Sequence, residues 1–184
     1  MKRWTLATLP LLLLTGCTSL PHGVQPVRDF NAQRYLGKWY EIARLDHSFE
    51  SGLSHVSATY SLRDDGGIKV INRGYSIAKK KWSQAIGKAY FVHSDHEGYL
   101  KVSFFGPFYG TYAIFDLASD YSYSMVAGPN KDYLWILSRT PTLPKETLNR
   151  LINEAKSKGF ATDQLIMVAQ TSKVPAPPTT VAQK

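Results

Sequence analysis

The chain has 184 residues, 43% of them hydrophobic and 20% charged, which suits one domain with a substantial core and excludes a disordered chain. Its 22 basic residues exceed its 14 acidic ones, for a formal net charge of +8. The excess forms no dense basic stripe interleaved with aromatics, which argues against a nucleic-acid partner; it serves solubility or attraction to anionic lipid head groups.

Residues 1–17, MKRWTLATLPLLLLTGC, open with Lys2 and Arg3, continue through an apolar run from Leu6 to Leu14 and close on small residues before a cysteine. The run is too short to span a bilayer and has the layout of a secretory signal peptide. Leu14-Thr15-Gly16-Cys17 resembles the cleavage box of bacterial lipoproteins, which implies that residues 1–16 are removed and that Cys17 becomes the lipid-bearing first residue. Cys17 is the only cysteine. No intramolecular disulfide can therefore form, and lipidation accounts for a lone thiol in an exported chain. Such an anchor, with acyl chains worth about 0.8 kcal/mol per buried methylene, holds a protein on a membrane without crossing it. Thr18 stands where lipoproteins kept at the inner membrane often carry Asp, so the resemblance implies the outer membrane, on its periplasmic side.

Residues 17–30 carry two prolines and a glycine without a sustained period and read as a lipidated tether. A series of short alternating segments follows, over 38–49, 55–62, 68–76, 82–93, 99–107, 109–118, 121–128 and 132–139, separated by turn-forming runs such as RDDGG, SDHEG and PNK. The period then changes to 3.6. In LPKETLNRLINEAKSKGF (143–160), Leu148, Leu151, Ile152 and Ala155 share one face, with Pro144 near the start and Gly159 past the end, which predicts an amphipathic helix. QLIMVAQ (164–170) is a short final strand, and 171–184, with three prolines, reads as a flexible tail.

Eight consecutive strands leave two open edges unless they close, and eight is the number at which a closed barrel just holds one small ligand. Several of these strands are apolar or aromatic on both faces, which an open sheet would leave exposed to water. The predicted fold is all-β, an eight-stranded up-and-down antiparallel barrel over residues 31–170 with one C-terminal helix packed outside.

Three short motifs fit that frame. Gly37-x-Trp39-Tyr40 followed by Glu41-Ile42-Ala43-Arg44 resembles the first signature of the lipocalins, Ser119-Asp120-Tyr121 the second, with Ser for the usual Thr, and Arg139 in LWILSRTP the third. Together with the signal segment and the FFGPFYG run, the chain is most similar to the bacterial outer-membrane lipocalins, relatives of apolipoprotein D. The resemblance implies that Arg139 lies across the Trp39 indole and plugs one end of the barrel, a cation–π contact worth about 1–2 kcal/mol when desolvated. Gly37 would let the backbone enter that corner without a side chain. These residues, with Asp120 and Tyr121, are thus structural.

If Trp39 faces inward, alternation and the family pattern together give a lining of Ala58, Tyr60, Val70, Asn72, Ala89, Phe91, Val102, Phe104, Tyr112, Ile114, Tyr123, Met125, Tyr133 and Trp135. This composition buries an acyl chain and orients one polar head, though such residues also serve simply to fill a barrel, and a one-residue slip inverts a strand. The alternation also turns Glu41 inward, where its carboxylate needs a partner or water. His93 and His96 flank Asp95 at a hairpin tip without a third ligand in reach, and His47 and His55 flank a loop at the mouth, so no metal site and no cofactor is expected. No nucleophile elbow or phosphate loop is present in the sequence.

The expected function is binding: a membrane-anchored protein that stores or transports a fatty acid, lysophospholipid or similar amphiphile, without a catalytic residue. A lipid-modifying enzyme on the same scaffold and an envelope structural or interaction protein are the alternatives, and the sequence leaves a homodimer open.

Overall fold

The computed structural model describes residues 19–170 and 173–178; Cys17 and the signal segment lie outside them. A single helical turn, α1 (Ala32–Tyr35), leads into β1 (Gly37–Arg44), followed by β2 (Leu53–Leu62), β3 (Ile68–Ser76), β4 (Lys81–Phe91), β5 (Tyr99–Ser103), β6 (Gly110–Leu117), β7 (Tyr123–Ala127) and β8 (Leu134–Ser138). Then come the helix α2 (Lys145–Ser157), a 3-10 turn and a two-residue strand, β9 (Ile166–Met167). The first strand stops at Arg44, short of the expected 49. Backbone hydrogen bonds from Glu50 and Ser51 to the His47 carbonyl turn the chain into a compact loop there.

From β1 to β8 each strand pairs antiparallel with its neighbour in sequence, and β1 pairs with both β2 and β8, closing the barrel. Closure removes the edges that an open sheet would expose. β1 leaves β2 after Tyr40, and its second half takes β9 as partner instead, through Ala43–Met167 and Arg44–Ile166. The Gln170 amide bridges the gap by donating to the carbonyls of Glu41 and Val56, each at 2.7 Å.

Alternation sorts the apolar residues into two cores. One lies outside the barrel wall, where Leu151 and Ala155 of α2 pack with Ile42, Ala43, Phe115, Met125, Leu134 and Ile136. The other fills the lower interior with Phe30, Tyr35, Trp39, Tyr60, Ile68, Val70, Ala89, Leu100, Ile114, Val126 and Leu137.

The segment after residue 18 is no slack tether. Ser19 donates its hydroxyl to the Pro129 carbonyl at 3.2 Å and accepts from Thr111 Oγ1 at 2.9 Å. The chain then descends the outer wall, Val27 exchanging backbone hydrogen bonds with Ile114 and Gly98, until Phe30 enters the floor beside Tyr35. It shows no period because its backbone, more than one side-chain face, is what docks. At the other terminus, the Pro175 carbonyl accepts the Trp82 indole N–H at 2.7 Å, so part of the tail lies against β4.

Candidate functional site

The floor is built from the expected signature residues. The Arg139 guanidinium lies 3.9 Å from the centroid of the fully buried Trp39 ring. It also donates to three main-chain carbonyls, Tyr121 at 3.3 Å, Lys38 at 3.0 Å and Arg34 at 2.7 Å. One cation thus ties α1, β1 and the β6–β7 turn together. Tyr121 accepts the Asn31 N–H on its hydroxyl, and its ring carries the Arg34 guanidinium at 4.1 Å. Asp120 caps the turn by accepting the Ser122 N–H. Gly37 has a different reason for being glycine than crowding. A Cβ there would meet Arg139 Nη1 at an ordinary 3.4 Å, but the backbone stands at φ +93°, where side-chain-bearing residues are strained.

Above Trp39 the interior holds a hydroxyl cluster. Tyr112 Oη is 2.9 Å from Tyr35 Oη and 2.7 Å from Tyr60 Oη, and Tyr35 also reaches Ser124 Oγ at 3.3 Å. Burial pushes the Tyr35 phenol up to about 12 and raises Tyr60 and Tyr112 well above the ordinary tyrosine value. All three stay protonated at physiological pH, and their hydroxyls serve as hydrogen-bond partners.

A charged cluster occupies the next level. A β-bulge between Glu41 and Ala43 turns both Glu41 and Arg44 inward, and Arg44 Nη1 lies 2.7 Å from Glu41 Oε1 with both side chains buried. Arg44 Nη2 donates to the carbonyls of Glu50 at 2.8 Å and Leu53 at 3.4 Å, clasping the β1–β2 loop. Trp135 Nε1 donates to Glu50 Oε2 at 2.9 Å. His47 stacks between Phe49 and Tyr133 at the mouth, and burial, followed by the Arg44 charge, lowers its pKa and keeps the ring neutral. Among the described residues, Arg44 Nε, Asn72 Oδ1 and His47 Nε2 are buried without a hydrogen-bond partner. No described group of His, Cys, Asp or Glu could hold a metal ion; His93 pairs with Glu97 at 2.8 Å instead.

This geometry has a family. Residues 30–170 match the profile of the Lipocalin-like domain. The chain belongs to the lipocalin family. It is 58% identical to the outer membrane lipoprotein Blc of Vibrio cholerae over 160 residues, covering 86% of this chain and 94% of that one. To the Blc of Escherichia coli it is 51% identical over 166 residues, covering 89% and 94%. A solved structure of the same fold is the cockroach allergen Per a 4, with a TM-score of 0.65 at 21% identity, covering 84% of this chain and 96% of that one.

The lipocalin interior holds most of the expected lining. Ala58, Tyr60, Val70, Ala89, Phe91, Val102, Phe104, Tyr112, Ile114 and Trp135 all belong to the inner cluster. Asn72, between Val70 and Gly74 on β3, shares their face. Tyr133 precedes β8 and sits at the rim against His47. β7 is the correction. Met125 and Tyr123 face outward, Met125 buried under α2 and Tyr123 accepting a hydrogen bond from Arg150 Nη2 at 2.8 Å, while Ser124 and Val126 face in. The inward parity of Tyr121 does not carry into β7, because Tyr121 sits in a turn with φ 63° before the strand begins at Tyr123. Opposite residues share a face, and Val126 pairs with the inward Trp135.

Arg44, Glu50, His47, Tyr35 and Ser124 were not in the expected set. Arg44 must serve two carboxylates. Burial first, and then the negative charge of Glu50, push the Glu41 carboxyl up to about 8, against the opposing pull of Arg44. Burial likewise raises Glu50. A carboxyl raised in the fold contributes stability that is complete below its ordinary value of 4.5 and lost as pH rises towards about 8. Urea unfolding across this window should therefore show stability falling with pH, by no more than about 1.4 kcal/mol per pH unit for one proton. Glu41→Gln should flatten the profile; an unchanged slope would assign it to another group.

Proposed function

We propose that this lipocalin is a lipid-binding protein of the bacterial envelope, held at the outer membrane by lipid on Cys17, that stores or transports a fatty acid, lysophospholipid or similar amphiphile. The observation that carries the reading is the cup: a barrel sealed at one end by Arg139 and Trp39, apolar along its walls, with polar groups gathered at two levels, the tyrosine hydroxyls and, above them, the Arg44–Glu41 pair. Ala58, Val102, Phe104 and Trp135 form the apolar wall that would take an acyl chain. Asn72 Oδ1 and Arg44 Nε, buried without partners among the described residues, would orient a polar head. The names of the two bacterial relatives, outer membrane lipoproteins, support the location.

Binding suits the interior better than catalysis. Its tyrosines stay protonated, and the hydroxyls of Tyr35, Tyr60 and Tyr112 bond to one another. Native mass spectrometry of the lipoprotein extracted gently from membranes tests the reading, with an acyl-bearing ligand as the expected adduct. Ala58→Trp, which fills the wall, should weaken binding by about tenfold or more, or about 1.4 kcal/mol, while leaving the unfolding midpoint nearly in place. An empty barrel whose tryptophan fluorescence responds to no acyl ligand would overturn it.

A further inference from the structure

The exposed apolar side chains are not spread evenly. Phe49 on the β1–β2 loop, Ile77 on the β3–β4 loop, and Phe105 and Phe108 on the β5–β6 loop are 60%, 64%, 82% and 75% exposed. All three loops belong to the open mouth. Ile166 and Met167, also exposed, lie on β9 against the mouth-side half of β1. Leu62 is the one large exposed apolar side chain at the floor end among the described residues. Single exposed apolar residues are ordinary, but a rim of them around one opening marks an interaction face.

Two further observations identify what that face meets. Charge is the first. Lys79, Lys80 and Lys81 follow Ile77 after one alanine and Lys131 stands on the β7–β8 loop, against exposed Asp46 and Asp132, whereas at the floor end Asp29, Asp64, Asp65, Asp95 and Asp120 are accompanied by Arg28, Arg34, Lys38, Arg63 and Arg139. The second is where the chain begins its path. Ser19 is held at the mouth by Pro129 of the β7–β8 loop and Thr111 at the start of β6. Cys17 precedes Ser19 by two residues, and two residues of chain span at most about 7 Å, so an anchor on Cys17 would lie within that reach of the rim.

We propose that the mouth of the barrel docks on the bilayer that holds the N-terminal anchor, inserting Phe49, Ile77, Phe105 and Phe108 among the acyl chains and setting Lys79, Lys80 and Lys81 on anionic phosphates. The proposal rests on the lipid-anchor reading above. Its consequence is a route. An amphiphile leaving the leaflet enters the barrel without exposing its acyl chain to water, where each methylene would be hydrated at a cost.

Because Cys17 is the only native cysteine and would carry the anchor lipid, a single introduced thiol can be labelled uniquely. Phe105→Cys and Leu62→Cys, each labelled with nitrobenzoxadiazole, would be placed as full lipidated protein in phosphatidylethanolamine–phosphatidylglycerol vesicles containing lipids spin-labelled along the acyl chain. A label at 105 should shift to the blue and be quenched at least twofold more than in unlabelled vesicles, while a label at 62 stays water-like and unquenched. Protein that floats with the vesicles but shows a water-like, unquenched label at 105 overturns the docking and leaves the anchor standing. Protein that does not float overturns both. As a second readout, Phe105→Ser with Phe108→Ser should slow transfer of a fluorescent fatty acid from barrel to vesicle by about fivefold at unchanged equilibrium affinity; an unchanged transfer rate contradicts the route.

Discussion

Arg44→Met should lower the unfolding free energy by about 3–5 kcal/mol above pH 8, where Glu41 is ionised, the cost of stranding a buried charge by removing its partner, and by less at neutral pH, where Glu41 holds its proton. The side chain is almost wholly buried, and nothing else described forms an ion pair with Glu41. Its loss also frees the carbonyls of Glu50 and Leu53, and with them the fold of the β1–β2 loop over the mouth. Urea unfolding provides the measurement, with the midpoint falling and the slope unchanged. The cause can be separated from the volume change. Arg44→Met combined with Glu41→Leu removes both charges and should recover more than half of the deficit, because a buried pair replaced by apolar residues is often neutral or better. A cost below about 1 kcal/mol for the single variant would place the pair in water.

The same cluster shows where alternation is legible in the sequence and where it fails. The strands of the barrel could be read from eight turn-bounded alternating segments, each set by residues close in the chain, whereas the placing of Arg139 over the distant Trp39 follows only from the resemblance to the lipocalin signatures. Glu41 was assigned its correct face by simple parity from Trp39. Its partner could not be, since strict alternation from Glu41 turns Arg44 outward; only the bulge between Glu41 and Ala43 turns it in, and a bulge is decided by what β8 and β9 present across the sheet. β7 failed for a related reason. Tyr121 points into the floor from a turn, and the strand starts a fresh parity two residues later. The N-terminal segment is the third case. Its docking uses the backbone of Val27 against Ile114 and Gly98, and main-chain hydrogen bonds leave no trace in residue type.

Trp39→Ala should cost a further about 3–5 kcal/mol, measured again by urea unfolding, as expected for removing a large, fully buried aromatic. That is a large fraction of the about 5–15 kcal/mol that holds a typical domain together. The indole does three things at once: it fills the floor, packs against Tyr35 with centroids 4.7 Å apart and the rings tilted by 32°, and donates its N–H to the Tyr35 carbonyl at 2.8 Å. It is also the platform for Arg139. A double-mutant cycle with Arg139→Met isolates that contact, and the coupling energy should be about 1–2 kcal/mol, since the cation is partly desolvated over the ring. A coupling near zero would mean that the three main-chain carbonyls alone hold Arg139 in place. The distinction bears on function, because a floor sealed only by hydrogen bonds on its outer rim would let water reach the tyrosine hydroxyls from below. Trp39 is buried in one cluster with Phe30, Tyr35, Leu137 and Ile114, which leaves the mouth as the route by which the proposed ligand would enter and leave.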